Sequence, residues 1–205
     1  SMAFLKTEAW FADLMISFTN PIVGIIFGAV LTAVIQSSSA SVGILQGLCS
    51  TGVVTYGAAL PIILGQNIGT CITAIMGAIG ANRNARRTAM VHLLFNVVGA
   101  VMFAVIFYGL GMFIEWKFLG DSVQAWDISV IHTGFNLIAT AVLMPMNGLL
   151  VKMAYMLVPE VKEPEKTELL DSRLLATPAV AVQRAHEIAS EMAADAAKAM
   201  HLAMG

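Results

Sequence analysis

The feature that most constrains this chain is a long segment in which no residue carries a charge. Residues 14–82 contain no Asp, Glu, Lys, Arg or His. Within this segment, a polar run at residues 36–41 (QSSSAS) separates apolar runs at residues 21–35 and 42–48. Polar side chains and unwound backbone are costly in hydrocarbon unless protein, ions or water satisfy them. The pattern therefore predicts a polar break that lines a solute-binding cavity inside a membrane.

The composition of the whole chain also indicates a membrane protein. Of its 205 residues, 58% are hydrophobic and 12% are charged, and the mean hydropathy is +0.81. Average soluble domains carry about twice that share of charged residues. We therefore predict an all-α integral membrane protein. The formal net charge of -2 says nothing about partners, because the charges gather in a few short segments, and we expect no nucleic-acid partner.

The beginning of the chain predicts a surface helix followed by a hairpin. Residues 1–19 are expected to form an interfacial amphipathic helix, because their large apolar side chains fall largely on one side. The next apolar run, at residues 21–35, is shorter than the roughly 20 residues that span a bilayer. We therefore predict a re-entrant helical hairpin with the serines at its tip. One tilted helix, kinked at the serines, is the alternative.

A second interruption follows in the next apolar segment. Residues 52–82 are long enough to cross a membrane, but the sequence GQNIGT at residues 65–70 contains two glycines that weaken a helix and expose carbonyls. This pattern predicts a broken transmembrane helix. Pairs of interrupted apolar segments are typical of the binding sites of transporters.

The second half of the membrane region predicts two continuous transmembrane helices, at residues 88–114 and 128–158. The loop between them carries Trp116 and Trp126, which are expected to lie at the membrane surface. Three arginines at residues 83–87 place the loop before these helices in the cytoplasm by the positive-inside rule. The tryptophan loop and both ends of the hairpin are then expected outside.

The two predicted transmembrane helices after the arginine loop cross the membrane twice, so the C-terminus is expected in the cytoplasm. Residues 20–158 are expected to form the membrane domain, and residues 159–205 a cytoplasmic linker and helix.

Two His–Asn pairs recur on the predicted continuous helices. Asn96 follows His92, and Asn136 follows His132, each by one helical turn. We favour hydrogen bonds between helices as their role over direct contact with a solute.

The polar tip has the donors that an oxyanion requires. If a helix restarts after the break, the serines lie at its N-terminus, where free N–H groups and the helix dipole favour an anion such as phosphate. The alternative is that these hydroxyls bond back to carbonyls of their own helix. The candidate substrate-binding residues are Gln36, Ser37, Ser38 and Ser39.

An anion at this depth needs positive charge, and residues 14–82 provide none. Bound cations can supply it, and sodium requires only neutral oxygens. Proton coupling usually uses a buried carboxylate, which this segment lacks. Sodium is therefore the predicted co-transported ion. Its candidate ligands are Gln66, Asn67, Thr70 and Thr73.

An enzymatic function is not expected. The serines have no nearby His or carboxylate to activate a nucleophile, and the chain contains no GxxxxGK[ST] phosphate loop.

Four segments, taken in order, carry a resemblance to a known family. They are QSSSASVGILQGL, GQNIGTCITAIMGAIGANRNARR, MVHLLFNVVGAV and IHTGFNLIATAVLMP. Together they resemble the sodium/phosphate cotransporter family (type II-related), particularly its bacterial members, over residues 20–158. The resemblance implies sodium-coupled phosphate symport in a bacterial plasma membrane, with phosphate at the QSSS tip. Gln66 stands where the family has a small residue.

The chain resembles one of the two inverted repeats of that family, the second. This implies either a homodimer or the C-terminal half of a longer transporter. The tail resembles the start of a PhoU-like domain. A non-transporting, phosphate-responsive membrane module that signals through its tail is therefore the alternative function. A third possibility keeps the fold but exchanges phosphate for another anion.

Overall fold

The computed structural model describes residues 8–160 and 178–204. Within these ranges the regular structure is helical and no β-strand forms. The chain divides into two units, Ser1–Glu160 and Val161–Gly205. The start of the predicted interfacial helix, at residues 1–7, and most of the predicted linker lie outside the described residues.

The described part of the first unit contains eight α-helices and one short 3-10 helix. In chain order these are α1 (Ala9–Ser17), α2 (Pro21–Ile35), α3 (Ser38–Cys49), α4 (Tyr56–Gly69), α5 (Cys71–Gly77), α6 (Arg83–Gly111), the 3-10 helix (Lys117–Gly120), α7 (Ala125–Leu143) and α8 (Asn147–Leu157).

The second unit contains α9 (Pro178–Met204), on which Arg184 Nη1 lies 3.0 Å from Glu187 Oε2.

Three segments are long and apolar enough to cross a membrane: Tyr56–Gly77, Arg83–Gly111 and Ala125–Leu143. The predicted all-α membrane class is confirmed. α1 and α2 meet at 106°, which is the bend expected where a surface helix leads into the membrane. Asn20 produces this bend, because its Oδ1 accepts from Ile22 N at 3.0 Å and so begins a new helix at Pro21.

The chain folds back on itself between α2 and α3. Thr32 Oγ1 donates a 2.7 Å hydrogen bond to Ser41 Oγ, nine residues later. A continuous helix would separate these residues by about 13 Å, so the kinked-helix alternative is wrong. Phe18, before α2, and Cys49, at the end of α3, belong to one buried cluster, which also contains Val123 of the tryptophan loop. The predicted hairpin therefore forms, with both ends beside that loop.

Glycines allow the backbones of α2 and α4 to touch. Gly24 and Gly28 on α2 and Gly65 and Gly69 on α4 share the contact. A Cβ atom at Gly24 would lie 2.7 Å from Pro61 Cγ, and one at Gly28 or Gly65 would overlap a backbone carbonyl oxygen of the opposite helix. This small-xxx-small spacing is typical of tightly packed membrane helices, where close van der Waals contact drives association.

The predicted interruption at residues 65–70 is much smaller than expected. α4 continues through Gly69, and only Thr70 separates it from α5. The backbone of Thr70 stays helical (φ -58°, ψ -27°), and its N–H still donates to Gln66 O at 3.1 Å. The two glycines serve helix packing, and packing overrides their weak helix propensity.

The predicted continuous helix at residues 128–158 is also corrected. It consists of two helices, because α7 ends at Leu143 and α8 begins at Asn147. Pro145 lies between them, and its missing N–H and bulky ring break the ladder of helical hydrogen bonds. The other predicted continuous helix, α6, is uninterrupted and begins at Arg83, where Asn82 caps it through a 2.9 Å bond from Ala85 N.

The glycine contact generates a stability prediction. Gly65→Ala should lower the free energy of unfolding by about 1–3 kcal/mol, because the added methyl group forces α2 and α4 apart. Thermal unfolding of the detergent-solubilised protein measures the change. The matched control is Gly109→Ala on α6, where no atom lies within 4 Å of the new Cβ. That variant should gain about 0.5–1 kcal/mol. Equal unfolding temperatures for the two variants would contradict the assignment.

Candidate functional site

The tip of the hairpin has an unusual backbone conformation at Gln36. Its φ and ψ are 57° and 21°, and it is the one non-glycine residue with positive φ in the described ranges. A left-handed conformation costs a residue with a Cβ about 1–2 kcal/mol. Such strain persists where the surrounding structure holds it, often at ligand sites. Here it turns the chain between α2 and α3 in two residues.

Three serines begin α3. Ser37 is its N-cap residue, and its Oγ accepts from Ala40 N at 3.3 Å. Ser38 and Ser39 occupy the first turn, where backbone N–H groups have no partner inside the helix. Neither hydroxyl of these two serines has a hydrogen-bond partner among the described residues. The back-bonding alternative therefore does not account for Ser38 and Ser39, whereas the Ser37 hydroxyl does serve its own helix.

The surface at the tip is open. Gln36, Ser37 and Ser39 are exposed, and Ser38 is half-buried. Gln36 Nε2 donates to Met76 Sδ at 3.4 Å, so the tip lies beside the far end of the α4–α5 segment. Two free hydroxyls, the first-turn N–H groups and the Gln36 amide thus present several donors on one exposed surface, an arrangement suited to an oxyanion.

A buried polar network lies directly beneath this tip. It consists of Thr32, Ser41 and Gln66, each with 0% of its surface exposed. Gln66 Nε2 donates to Ser41 O at 3.0 Å and to Ser41 Oγ at 2.9 Å, while Thr32 Oγ1 donates to the same hydroxyl. These bonds join α2, α3 and α4. Sequence reasoning missed Thr32, although it continues the four-residue spacing of Gly24 and Gly28, and it placed Ser41 in the polar run without naming it as a ligand.

One oxygen of this network has no partner. Gln66 Oε1 is buried and accepts no hydrogen bond within the described part of the chain. A buried carbonyl oxygen without a donor is costly, and a bound cation or water is the usual solution. Of the four candidate sodium ligands, Gln66 is the one that the structure joins to the hairpin.

The other three candidates face elsewhere. Asn67 Nδ2 donates to Ile63 O at 2.9 Å, and Asn67 Oδ1 accepts from Asn136 Nδ2 at 3.1 Å. Thr70 Oγ1 donates to Gln66 O at 2.9 Å, and Thr73 Oγ1 donates to Thr70 O at 3.0 Å. Asn67 therefore connects α4 to α7, while both threonine hydroxyls bond to carbonyls one turn earlier.

The two His–Asn pairs play different roles. Asn136 Nδ2 bonds both to His132 O, at 2.8 Å, and to Asn67 on the neighbouring helix, as the sequence predicts. Asn96 Nδ2 bonds to His92 O on its own helix, at 3.0 Å. The hydrogen bond from α5 to α6 is instead made by Cys71, whose Sγ donates to His92 O at 3.6 Å.

Comparison with known proteins gives several relatives. YqeW of Bacillus subtilis, an uncharacterized protein, is 33% identical over 135 residues, which cover 66% of this chain and 43% of YqeW. The human sodium-dependent phosphate transport protein 2B is 40% identical over 84 residues, or 38% of this chain and 12% of the relative. The putative inorganic phosphate export protein YjbB of Salmonella typhimurium is 26% identical over 163 residues, which cover 78% of this chain and 30% of YjbB.

This chain thus spans less than half the length of each of these relatives. No solved structure gives a significant match. The profile of the Na+/Pi-cotransporter family matches residues 6–145, a range that contains the hairpin, the buried network and α6. Two of these relatives are named as phosphate transport or export proteins, and the match to a cotransporter family confirms the prediction that the chain is not an enzyme. With the match covering well over half of its length, the chain belongs to the Na+/Pi-cotransporter family.

Proposed function

We propose that this chain binds inorganic phosphate at the tip formed by Gln36, Ser37, Ser38 and Ser39 and takes part in its sodium-coupled symport. The observation that carries the proposal is the start of α3. There, the hydroxyls and backbone N–H groups of Ser38 and Ser39 have no partner among the described residues, within a segment free of charge. Phosphate has acceptors for all of these donors. Family membership supports phosphate as the anion.

Sodium coupling follows from charge balance. Phosphate brings negative charge to a region with no cationic side chain between residues 14 and 82. The unpartnered Gln66 Oε1 offers a neutral oxygen ligand under the tip. Asn67, Thr70 and Thr73 remain candidates, since each hydroxyl or amide oxygen can accept a cation while its hydrogen stays bonded to a carbonyl. Sodium bound here is cargo and also the counter-charge that phosphate requires.

The exposed tip argues for a second half of the site. Gln36, Ser37 and Ser39 are open to the surroundings, which is unfavourable inside a membrane unless another surface covers them. A second repeat, supplied by another copy of the chain or by the remainder of a longer transporter, fits this need.

The arginines at residues 83–87 favour a cytoplasmic position for their loop and for the C-terminus, in the plasma membrane of a bacterium.

Phosphate binding tests the site. A Ser38→Ala, Ser39→Ala double variant should lower phosphate affinity in sodium by about tenfold or more, because two hydrogen bonds to a charged ligand are lost. Isothermal titration of the detergent-solubilised chain, with sodium and then with potassium, measures the affinity. Ser50→Ala is the matched control, because its exposed hydroxyl bonds to Gly47 O away from the tip. Unchanged affinity in the double variant would refute the assigned site.

Flux and mass in solution separate the functional alternatives. Sodium-dependent uptake into proteoliposomes by a dimer supports a homodimeric half-transporter. If flux appears only when a second repeat is supplied, the chain is the C-terminal half of a transporter. Phosphate binding without net flux in either case would favour the non-transporting module instead.

Gln66 provides a test of the ion site. Gln66→Leu removes Oε1 at similar volume and should raise the sodium concentration for half-maximal phosphate binding about tenfold. Because this variant also removes the two Nε2 bonds that hold α3, phosphate affinity at saturating sodium should fall less than the sodium requirement rises. Gln46→Leu is the matched control, because Gln46 bonds to Ala125 O and Ser129 Oγ, away from the tip. An equal sodium shift in both variants, or none in Gln66→Leu, would exclude Gln66 as a sodium ligand.

A further inference from the structure

Arg87 is a buried cation for which the described residues provide no acidic partner. It lies in the second turn of α6 and is 7% exposed. Its Nε donates to Val158 O at 3.1 Å, and its Nη1 donates to Asn84 Oδ1 at 3.4 Å. Nη2 is buried and has no hydrogen-bond partner within the described ranges. A buried guanidinium in this state is unfavourable, because neither its charge nor all of its donors are compensated.

The part of the chain that directly precedes and forms α6 supplies no acid. Between Asp13 and Glu115 the chain contains no carboxylate side chain. The same end of α6 also carries Arg83 and Arg86 and the positive end of a 29-residue helix. Positive charge thus accumulates where α6 begins, and a bound anion would balance it.

A cavity adjoins the guanidinium. It has a volume of about 340 Å³, and Asn84, Arg87 and Thr88 form its polar side. Val91, Val151 and Ala154 form its apolar side, and the Tyr155 ring completes it. The Arg87 Cζ lies 3.9 Å from the centroid of that ring, so the stack holds the guanidinium between α6 and α8. The site therefore combines one cationic group with a mostly apolar wall.

We propose that this cavity binds the phosphate group of an anionic phospholipid, with the headgroup on Arg87 and an acyl chain along the apolar side. Arginine binds phosphate through two parallel hydrogen bonds, which would satisfy Nη2. Free phosphate would make the same hydrogen bonds, but it has no apolar part that could pack against the apolar side of the cavity. The position favours lipid, because α6 is long enough to span a membrane and Arg87 lies near its end. Bound lipid would join α6 to α8 next to the carbonyl of Val158, where the tail begins.

Two variants that change the site in different ways test the proposal, so the test still holds if one of them does not fold. Asn84→Asp places a carboxylate beside Nη1 and neutralises Arg87 in position, while Arg87→Gln removes the charge. Both should lower the affinity of the delipidated full chain for phosphatidylglycerol about tenfold or more, measured by native mass spectrometry in detergent. Arg86→Gln is the matched control, because it makes the same change in net charge on an exposed side chain one residue away and should shift affinity less than about fivefold.

Two further ligands identify the source of the phosphate group. Phosphatidylcholine, whose phosphate is paired with its own choline cation, should bind more weakly than phosphatidylglycerol and should lose less affinity in Asn84→Asp. Inorganic phosphate at millimolar concentration should not displace phosphatidylglycerol. Displacement by inorganic phosphate, with loss of that effect in Asn84→Asp, would overturn the lipid assignment in favour of a free-phosphate site. Wild-type affinity for phosphatidylglycerol in both Asn84→Asp and Arg87→Gln would overturn the site itself.

Discussion

Gly24, Gly28, Gly65 and Gly69 let two helix backbones meet without side chains between them, and the rest of the first unit is arranged around that contact. Lipid offers no hydrophobic drive for helices to associate, so close backbone approach and polar bonds must hold them together. The contact places α2 along α4 and so carries the hairpin tip to the far end of the α4–α5 segment, beside Met76. Without it, the serines would have no defined depth in the membrane.

At the level of Gly69, the helices are joined by polar groups as well as by packing. Thr32, Ser41 and Gln66 connect three helices at 0% exposure. A large amide here closes space that a smaller residue would leave open. Its Nε2 fixes α3, whereas its Oε1 stays available for an ion. In the proposed site, structural bracing and ion binding thus fall to the two polar atoms of one amide group.

The neutral donors at the tip and the cationic groups at the arginine loop suit different kinds of ligand. In the proposed phosphate site at the tip, donors without charge would allow an anion to bind and leave again, because a fixed lysine or arginine would hold a polyanion too tightly in a medium of low dielectric constant. At the loop, Arg87 has permanent charge beside Tyr155 and an apolar wall. That arrangement suits a ligand that stays in place, such as a structural lipid.

Several features followed from the amino-acid sequence alone. The charge-free residues 14–82 determined a membrane location, since so long an apolar segment is stable in the hydrocarbon of a bilayer and not in water. Asn20-Pro21 and the run of serines determined where helices stop and restart, because capping and proline effects are local. The bond from Asn136 to another helix could also be anticipated, because a polar side chain in hydrocarbon must find a partner.

Other features were decided by the tertiary structure. Helix propensity predicts a break at the sequence GQNIG. In the structure this segment stays helical and packs against α2, because Gly24 and Gly28 lie opposite it. Pro145 was predicted to lie within a continuous helix, yet it divides α7 from α8. The partners of Thr32, Ser41 and Gln66, and the isolation of Arg87 from any described carboxylate, depend on residues distant in sequence. Local sequence determines which groups need partners, and only the folded chain determines which of them find one.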